Sequence, residues 1–178
     1  MKQLRNFLLV SGAGQNTGKT TLISRLISRF AHLEIIAVKI TPHIHSLNYP
    51  LPLLERGDGF VLYQEIFSGK EKDSSRFLAA GAKKVLLLFT ERAATCEAIM
   101  MLLKHTGPGV PVICESGGLA QYYQPALHLF LNKKGENVKI HLGTPDKFIT
   151  FNRSEFDADI SAIRWENGSW WWPDTNEI

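Results

Sequence analysis

Residues 7–30 read FLLVSGAGQNTGKTTLISRLISRF: a short apolar run, a glycine-rich turn, then a segment opening on Gly18-Lys19-Thr20-Thr21. After the turn, Leu22, Ile23, Leu26, Ile27 and Phe30 recur at the spacing of one helix face. The stretch therefore predicts a buried strand, a tight loop and an amphipathic helix. From Ala13 the spacing is AxxxxGKT, the phosphate-loop pattern with alanine in place of its first glycine and Gly12 one position earlier. A helix start presents unpaired backbone N–H groups and the positive end of a dipole, so a polyphosphate placed there satisfies both.

Each position has an expected task. Residues Gly12, Ala13, Gly14, Gln15, Asn16, Thr17, Gly18, Lys19, Thr20 and Thr21 form the predicted cradle. Gly14 and Gly18 supply backbone freedom, Lys19 a point charge between the β- and γ-phosphates, and Thr20 a hydroxyl for Mg²⁺. Thr21 lies near the α-phosphate. The implied ligand is ATP or GTP with Mg²⁺. The blander alternative is a strand-to-helix turn with a solvated lysine, which leaves the agreement of motif and flanking elements unexplained.

Outward from this segment, further apolar runs at 34–40, 85–89, 110–114 and 127–131 are nearly continuous rather than alternating, as in strands covered on both faces. Residues 94–105 are good helix formers that end at Gly107. Strands and helices alternate, which predicts one α/β domain over 1–178: three layers, with a mainly parallel sheet between helices. Two stretches break the rhythm. Residues 46–70 contain Pro50, Pro52 and the turn Gly57-Asp58-Gly59, and are read as an inserted hairpin or lid. The tail from residue 139 carries IRWENGSWWW, where Asn167-Gly168 between aromatic residues predicts a C-terminal β-hairpin that closes a sheet edge or forms a contact surface. Trp165, Trp170, Trp171 and Trp172 suit packing on a sheet, or an oligomer or partner surface with a homodimer as one form of it.

Composition narrows the class further. An apolar share of 44% with 21% charged residues is that of an ordinary globular chain. Lysine and arginine number 20 against 17 acidic residues and are scattered, so charge does not call for a nucleic-acid partner. The apolar run after Lys2 and Arg5 stops at Ser11-Gly12, short of a signal sequence, and no run reaches the ~18 residues of a membrane span. Cys96 and Cys114 make no CxxC pair or disulfide framework. A soluble, cytoplasmic protein with reduced thiols is expected.

Two acids are candidates for the site. Ligands of open parallel sheets gather at the carboxyl ends of strands, where phosphate-loop proteins place a carboxylate near Mg²⁺. Glu115 ends the run PVICE, and Asp73 opens KDSSRF. A solvated loop acid and a helix N-cap are the respective alternatives. With Lys19, these two would organise phosphoanhydride hydrolysis or phosphoryl transfer; no residue suggests itself as the general base. His43 and His45, two apart in an extended stretch, suit a metal, a phosphate contact or simple packing. Cys114 abuts Glu115 but is read as a buried strand residue. Asn132-Lys133-Lys134-Gly135-Glu136 has its acid one place too late for an NKxD guanine reader and is read as a turn.

In order along the chain, GKTTL, VKITPHIH, KDSSRFLAAGAKKVLLL and ICESGG resemble the motif series of the molybdopterin-guanine dinucleotide biosynthesis adaptor family, MobB. The resemblance spans roughly residues 7–131, interrupted by the insert. It implies a phosphate-loop NTPase fold of the class that holds signal-recognition GTPases, MinD-type ATPases and dethiobiotin synthetase. It also implies Mg²⁺-dependent GTP binding, weak hydrolysis, and assistance to a partner nucleotidyltransferase. By the same resemblance Lys19, Thr20, Asp73 and Glu115 serve the nucleotide and metal, with Lys39 and His43 as further contacts. The loop GAGQNTGKT also resembles that of dethiobiotin synthetase, so an ATP-dependent small-molecule ligase or kinase is the second expectation. A non-catalytic nucleotide-gated interaction module, with the tryptophan-rich hairpin as its binding face, is the third.

Overall fold

The apolar run that precedes the glycine-rich loop becomes β1 (Lys2–Gly12), the fourth strand from one end of the nine-stranded sheet that the described residues form. The computed structural model describes residues 1–14, 16–42, 50–69, 72–133, 143–152 and 155–173. The loop leads into α1 (Lys19–Arg29), followed by β2 (Ile36–Thr41), β3 (Leu53–Gly57), β4 (Phe60–Glu65), α2 (Asp73–Ala79) and β5 (Lys84–Thr90). Then come α3 (Thr95–Thr106), β6 (Val112–Ser116), β7 (Tyr123–Lys133), β8 (Lys147–Asn152) and β9 (Glu155–Phe156). The short strands β10 (Arg164–Glu166) and β11 (Ser169–Trp171) form a separate pair.

The sheet order is β3-β4-β5-β2-β6-β1-β7-β8-β9. Strands β5, β2, β6, β1, β7 and β8 run parallel, and the flanking strands are antiparallel. Alternation along each strand sends residues to opposite faces. Leu8, Val10, Ala37 and Ile113 point to the layer containing α1 and Phe77 of α2, whereas Leu9, Val38 and Cys114 point to Ala98, Ile99 and Leu102 of α3. Both faces are covered, which is why these strands read as unbroken apolar runs.

The inserted segment departs from one half of its expectation. Its Asp58-Gly59 turn closes a β3–β4 hairpin, but β4 pairs with β5 from Phe60↔Thr90 to Glu65↔Val85, so the hairpin extends the sheet and is not a lid. Backbone hydrogen bonding to a neighbouring strand satisfies more donors and acceptors than a free flap would. Residues 46–49 and 70 lie outside the described residues.

The tail forms the predicted hairpin. Asn167 and Gly168 both have positive φ, the conformation of the type I′ turn, and Trp165 sits opposite Trp170. It does not close an edge, because β8 and β9 already occupy that side; it packs on the α1 face instead. Trp170 is buried, lies edge-on to Phe30 at 5.0 Å, and donates its indole N–H to the Asn6 carbonyl at 3.1 Å. Among the described residues no helix is long and apolar enough to cross a membrane.

Candidate functional site

The loop between β1 and α1 is shaped by two close approaches. A Cβ on Gly12 would stand 2.5 Å from the Leu131 carbonyl oxygen on β7, and one on Gly18 would stand 2.5 Å from the Phe151 ring on β8. Gly18 also has φ of 86°, in the left-handed region that glycine tolerates. It is the N-cap of α1, where no side chain caps the helix and no acid stands in the first turn. The leading N–H groups of α1 and the positive end of its dipole are thus left to an anion. Lys19, the first helical residue, folds back over the loop, its Nζ donating to the Gly14 carbonyl at 2.6 Å and to Thr17 Oγ1 at 3.0 Å.

Register brings the acidic side of the site to the same place. Lys39 on β2 pairs with Glu115 on β6, so both side chains emerge on the α1 face at the carboxyl ends of their strands. Lys39 Nζ lies 2.6 Å from Asp73 Oδ2 and 3.5 Å from Glu115 Oε2. Asp73 is the first residue of α2, one place after the N-cap, so the capping alternative does not describe it. Its carboxylate accepts from Lys39 and is hydrogen-bonded to the Thr20 side chain, tying α2 to the start of α1. Behind it, Ser74 donates to the buried Glu65 at 2.7 Å, which holds the start of α2 against the end of β4.

Electrostatics separates the two carboxylates. Burial pushes Asp73 up, but the hydrogen bond and charge of Lys39, then Thr20 and Arg76, together bring it below the usual aspartate value. Glu115 moves the other way: burial, reinforced by the Asp73 charge, raises it against the pull of Lys39 and Lys19. Its Oε2 is buried and has no hydrogen-bond partner among the described residues, although the Lys39 ammonium stands at ion-pair distance. A buried carboxylate oxygen with only one long ammonium contact is costly, and a proton or a second cation would relieve it.

These groups line one cavity of about 510 Å³. Gly14, Asn16, Thr17, Gly18, Lys19, Thr20, Thr21, Asp73 and Glu115, each singled out in the sequence, all border it. Gly12 and Ala13 stand behind the loop, where Ala13 N donates to the Leu131 carbonyl, and Gln15 lies outside the described residues. No protein-family model, curated protein or solved structure matches this chain.

Two lining residues escaped sequence reasoning. Arg76 follows Asp73 by three positions, a spacing that puts both on one side of a helix and would have revealed it. Phe151 comes from β8, beyond every motif, and had no local signal. Three cations, Lys19, Lys39 and Arg76, thus share the cavity lining with two carboxylates, and Lys39 contacts both acids. Among the described residues no group of three or more His, Cys, Asp or Glu is placed to hold a metal ion. His43, His45 and residues 134–136 of the NKKGE turn lie outside the described residues. Cys114 is buried, and burial first, then the Glu115 charge, pushes its thiol far up, as suits an inert packing residue.

Proposed function

We propose that this chain binds a nucleoside triphosphate with Mg²⁺ in the cavity between the α1 start and the tips of β2 and β6. One observation carries the reading: an uncapped helix start, Lys19, Thr20 and two carboxylates converge on a single space at the carboxyl ends of parallel strands. The triphosphate would lie along residues 13–21, accepting from backbone N–H groups of the α1 start, with the Lys19 ammonium released from the Gly14 carbonyl onto phosphate oxygens. Lys39 and Arg76, which also line the cavity, would meet the terminal phosphate.

The donor set fits Mg²⁺. This ion takes oxygen ligands, keeps several waters and is commonly held by one or two carboxylates plus substrate phosphates, so it does not require the three-acid cluster that is missing among the described residues. Thr20, Asp73 and Glu115 offer only oxygens, and Mg²⁺ beside Glu115 Oε2 would add to the charge that Lys39 supplies there from 3.5 Å. When bound, Mg²⁺ would neutralise charge on the phosphate oxygens. Thr20 and Asp73 would orient its shell, while Lys19 and Lys39 would stabilise charge developing during slow phosphoanhydride hydrolysis.

By the motif resemblance, the fold is that of a phosphate-loop NTPase and the biological role a MobB-like adaptor, acting with a partner nucleotidyltransferase in molybdopterin guanine dinucleotide synthesis. The rival readings lose particular supports. A dethiobiotin-type ligase was to draw a pocket from residues 46–70, whose described hairpin instead extends the sheet edge. A nucleotide-gated module was to use the tryptophan hairpin, whose Trp170 is consumed by packing.

Calorimetry with GTP and ATP, each with and without Mg²⁺, tests the proposal. One triphosphate binds with Mg²⁺ dependence, and Lys19→Ala weakens it by about 100-fold, or ~2.7 kcal/mol, without unfolding the chain. Equal affinity of wild type and variant sinks the reading. The ratio of GTP to ATP affinity then separates an adaptor of the guanine type from an ATP-dependent enzyme.

A further inference from the structure

The strand tips that border the phosphate cavity also border a second one. Along β2 and β6 the side chains alternate, so Lys39 and Glu115 face the α1 side while Ile40 and Ser116 face the α3 side. On that opposite side lies a separate cavity of about 480 Å³, within the ordinary range for small-molecule sites. Its lining is divided in character. Ile40 and Tyr122 supply accessible apolar surface above the buried Ile99 and Leu119, and Arg92, the first residue of the one-turn helix that leads into α3, is the charged residue among the described lining.

Two details suit this space to a ligand. Ser116 Oγ accepts from the backbone N–H groups of Gly118 at 3.2 Å and Leu119 at 3.1 Å, which fixes the turn 116–119 as a formed wall. Arg92 is exposed and makes no ion pair with any described residue, and the other described residues that line the cavity are uncharged. A guanidinium at the rim of an apolar floor recognises an anionic group attached to an apolar body, because each part of such a ligand meets its match.

We propose that this cavity binds a second small molecule with an apolar, ring-sized body and one anionic group, carboxylate or phosphate, held by Arg92. The ring lies against Ile40 and Tyr122, which Ile99 and Leu119 back from within the core. The strand tips separate it from the triphosphate by the thickness of the sheet edge, so the two ligands are held at once and neither displaces the other. That pairing rests on the triphosphate reading of the first cavity; the anion site itself does not.

Suitable probes are 2-naphthoate, 2-naphthyl phosphate and the neutral 2-naphthamide, titrated into the isotopically labelled full chain and followed by amide chemical shifts. At least one anion binds about tenfold tighter than the amide and moves the signals of residues 116–122. Arg92→Gln brings that anion to the level of the amide, and whichever anion is preferred assigns the ligand class. Gly117→Leu is a second variant: a Cβ there meets nothing within 4 Å, so the fold tolerates it, and the added side chain weakens all probes by filling the mouth. Equal binding of anions and amide, an Arg92→Gln chain that keeps the preference, or shifts confined to the loop at 12–21 would each overturn the proposal. Lys19→Ala tells the two readings apart: it abolishes binding of inorganic tripolyphosphate and leaves naphthoate untouched. If tripolyphosphate binding survives, the first cavity has been misread while the Arg92 result still stands.

Discussion

Lys39 and Glu115 are register partners on adjacent parallel strands, with Lys39 Nζ 3.5 Å from Glu115 Oε2 and 2.6 Å from Asp73 Oδ2. One ammonium therefore serves two carboxylates of opposite tendency, Glu115 pushed up by burial and Asp73 drawn down against it by its partners. Removing that ammonium leaves a buried acid without its cation. Lys39→Met is expected to destabilise the fold by about 1–3 kcal/mol, less than a fully buried pair because Asp73 is 40% exposed. In the double variant with Glu115→Gln much of the loss is recovered, and urea midpoints of the four proteins measure the coupling. Simple additivity of the two changes would contradict a shared charge network.

Gly18 is pinned both by its φ of 86° and by Phe151, which a Cβ would approach to 2.5 Å. Gly18→Ala should therefore cost about 1–3 kcal/mol and weaken triphosphate binding through a displaced α1 start. Phe151→Ala opens room, so the pair together loses less stability than the separate losses sum to; thermal melts of the three variants decide the matter. The remaining deficit belongs to the backbone, which no neighbouring change can relieve.

His128, on β7, offers a pH signature of its own. Its Nε2 lies 2.7 Å from Ser11 Oγ, both residues are buried, and the ring hydrogen-bonds the Thr144 backbone. Burial lowers its proton affinity below the ordinary 6.5, against opposition from the Asp146 charge and the Thr144 contact. The folded chain thus keeps the ring neutral while the unfolded chain takes a proton. This contribution to stability is whole above pH 6.5 and declines as pH falls from there to the lower folded value, at no more than about 1.4 kcal/mol per pH unit. His128→Gln is expected to flatten that part of the stability profile; an unchanged slope in equilibrium unfolding between pH 7 and 5 would show the ring to be silent.

Trp170 and Trp171 are sequence neighbours with different fates, one buried and the other 39% exposed. Trp170→Ala should cost about 3–5 kcal/mol, since it empties a site against Phe30 and removes the bond to Asn6. Trp171→Ala should stay within about 0.5 kcal/mol. Ending the chain before Ser161 should abolish cooperative unfolding. A folded product that changes only its association state would instead make the hairpin an interface, as the alternative sequence reading allowed.

Legibility from sequence followed the range of the interaction. The loop and α1 were readable because a glycine at 18, a lysine at 19 and apolar residues three and four apart are local consequences of backbone conformation. Both hairpins were readable from Gly57-Asp58-Gly59 and Asn167-Gly168 for the same reason. Where each hairpin docks was not: β4 lies against β5 and Trp170 against Phe30, contacts between segments distant in the chain. Arg76 was within reach of a helical-spacing argument, whereas Phe151 enters the site only through the pairing of β8 with β7.

By itself the order of residues determined the first strand, the glycine-rich loop and α1, the alternation of sheet and helix, and the acids available near that loop. Local sterics and burial periodicity suffice for those features. Tertiary structure alone decided that Lys39 bridges Asp73 and Glu115, that the insert is an edge hairpin, and that a second cavity lies behind the same strand tips. These depend on strand order and register, which arise from the competition of the whole chain for hydrogen bonds and apolar burial and are written in no single segment.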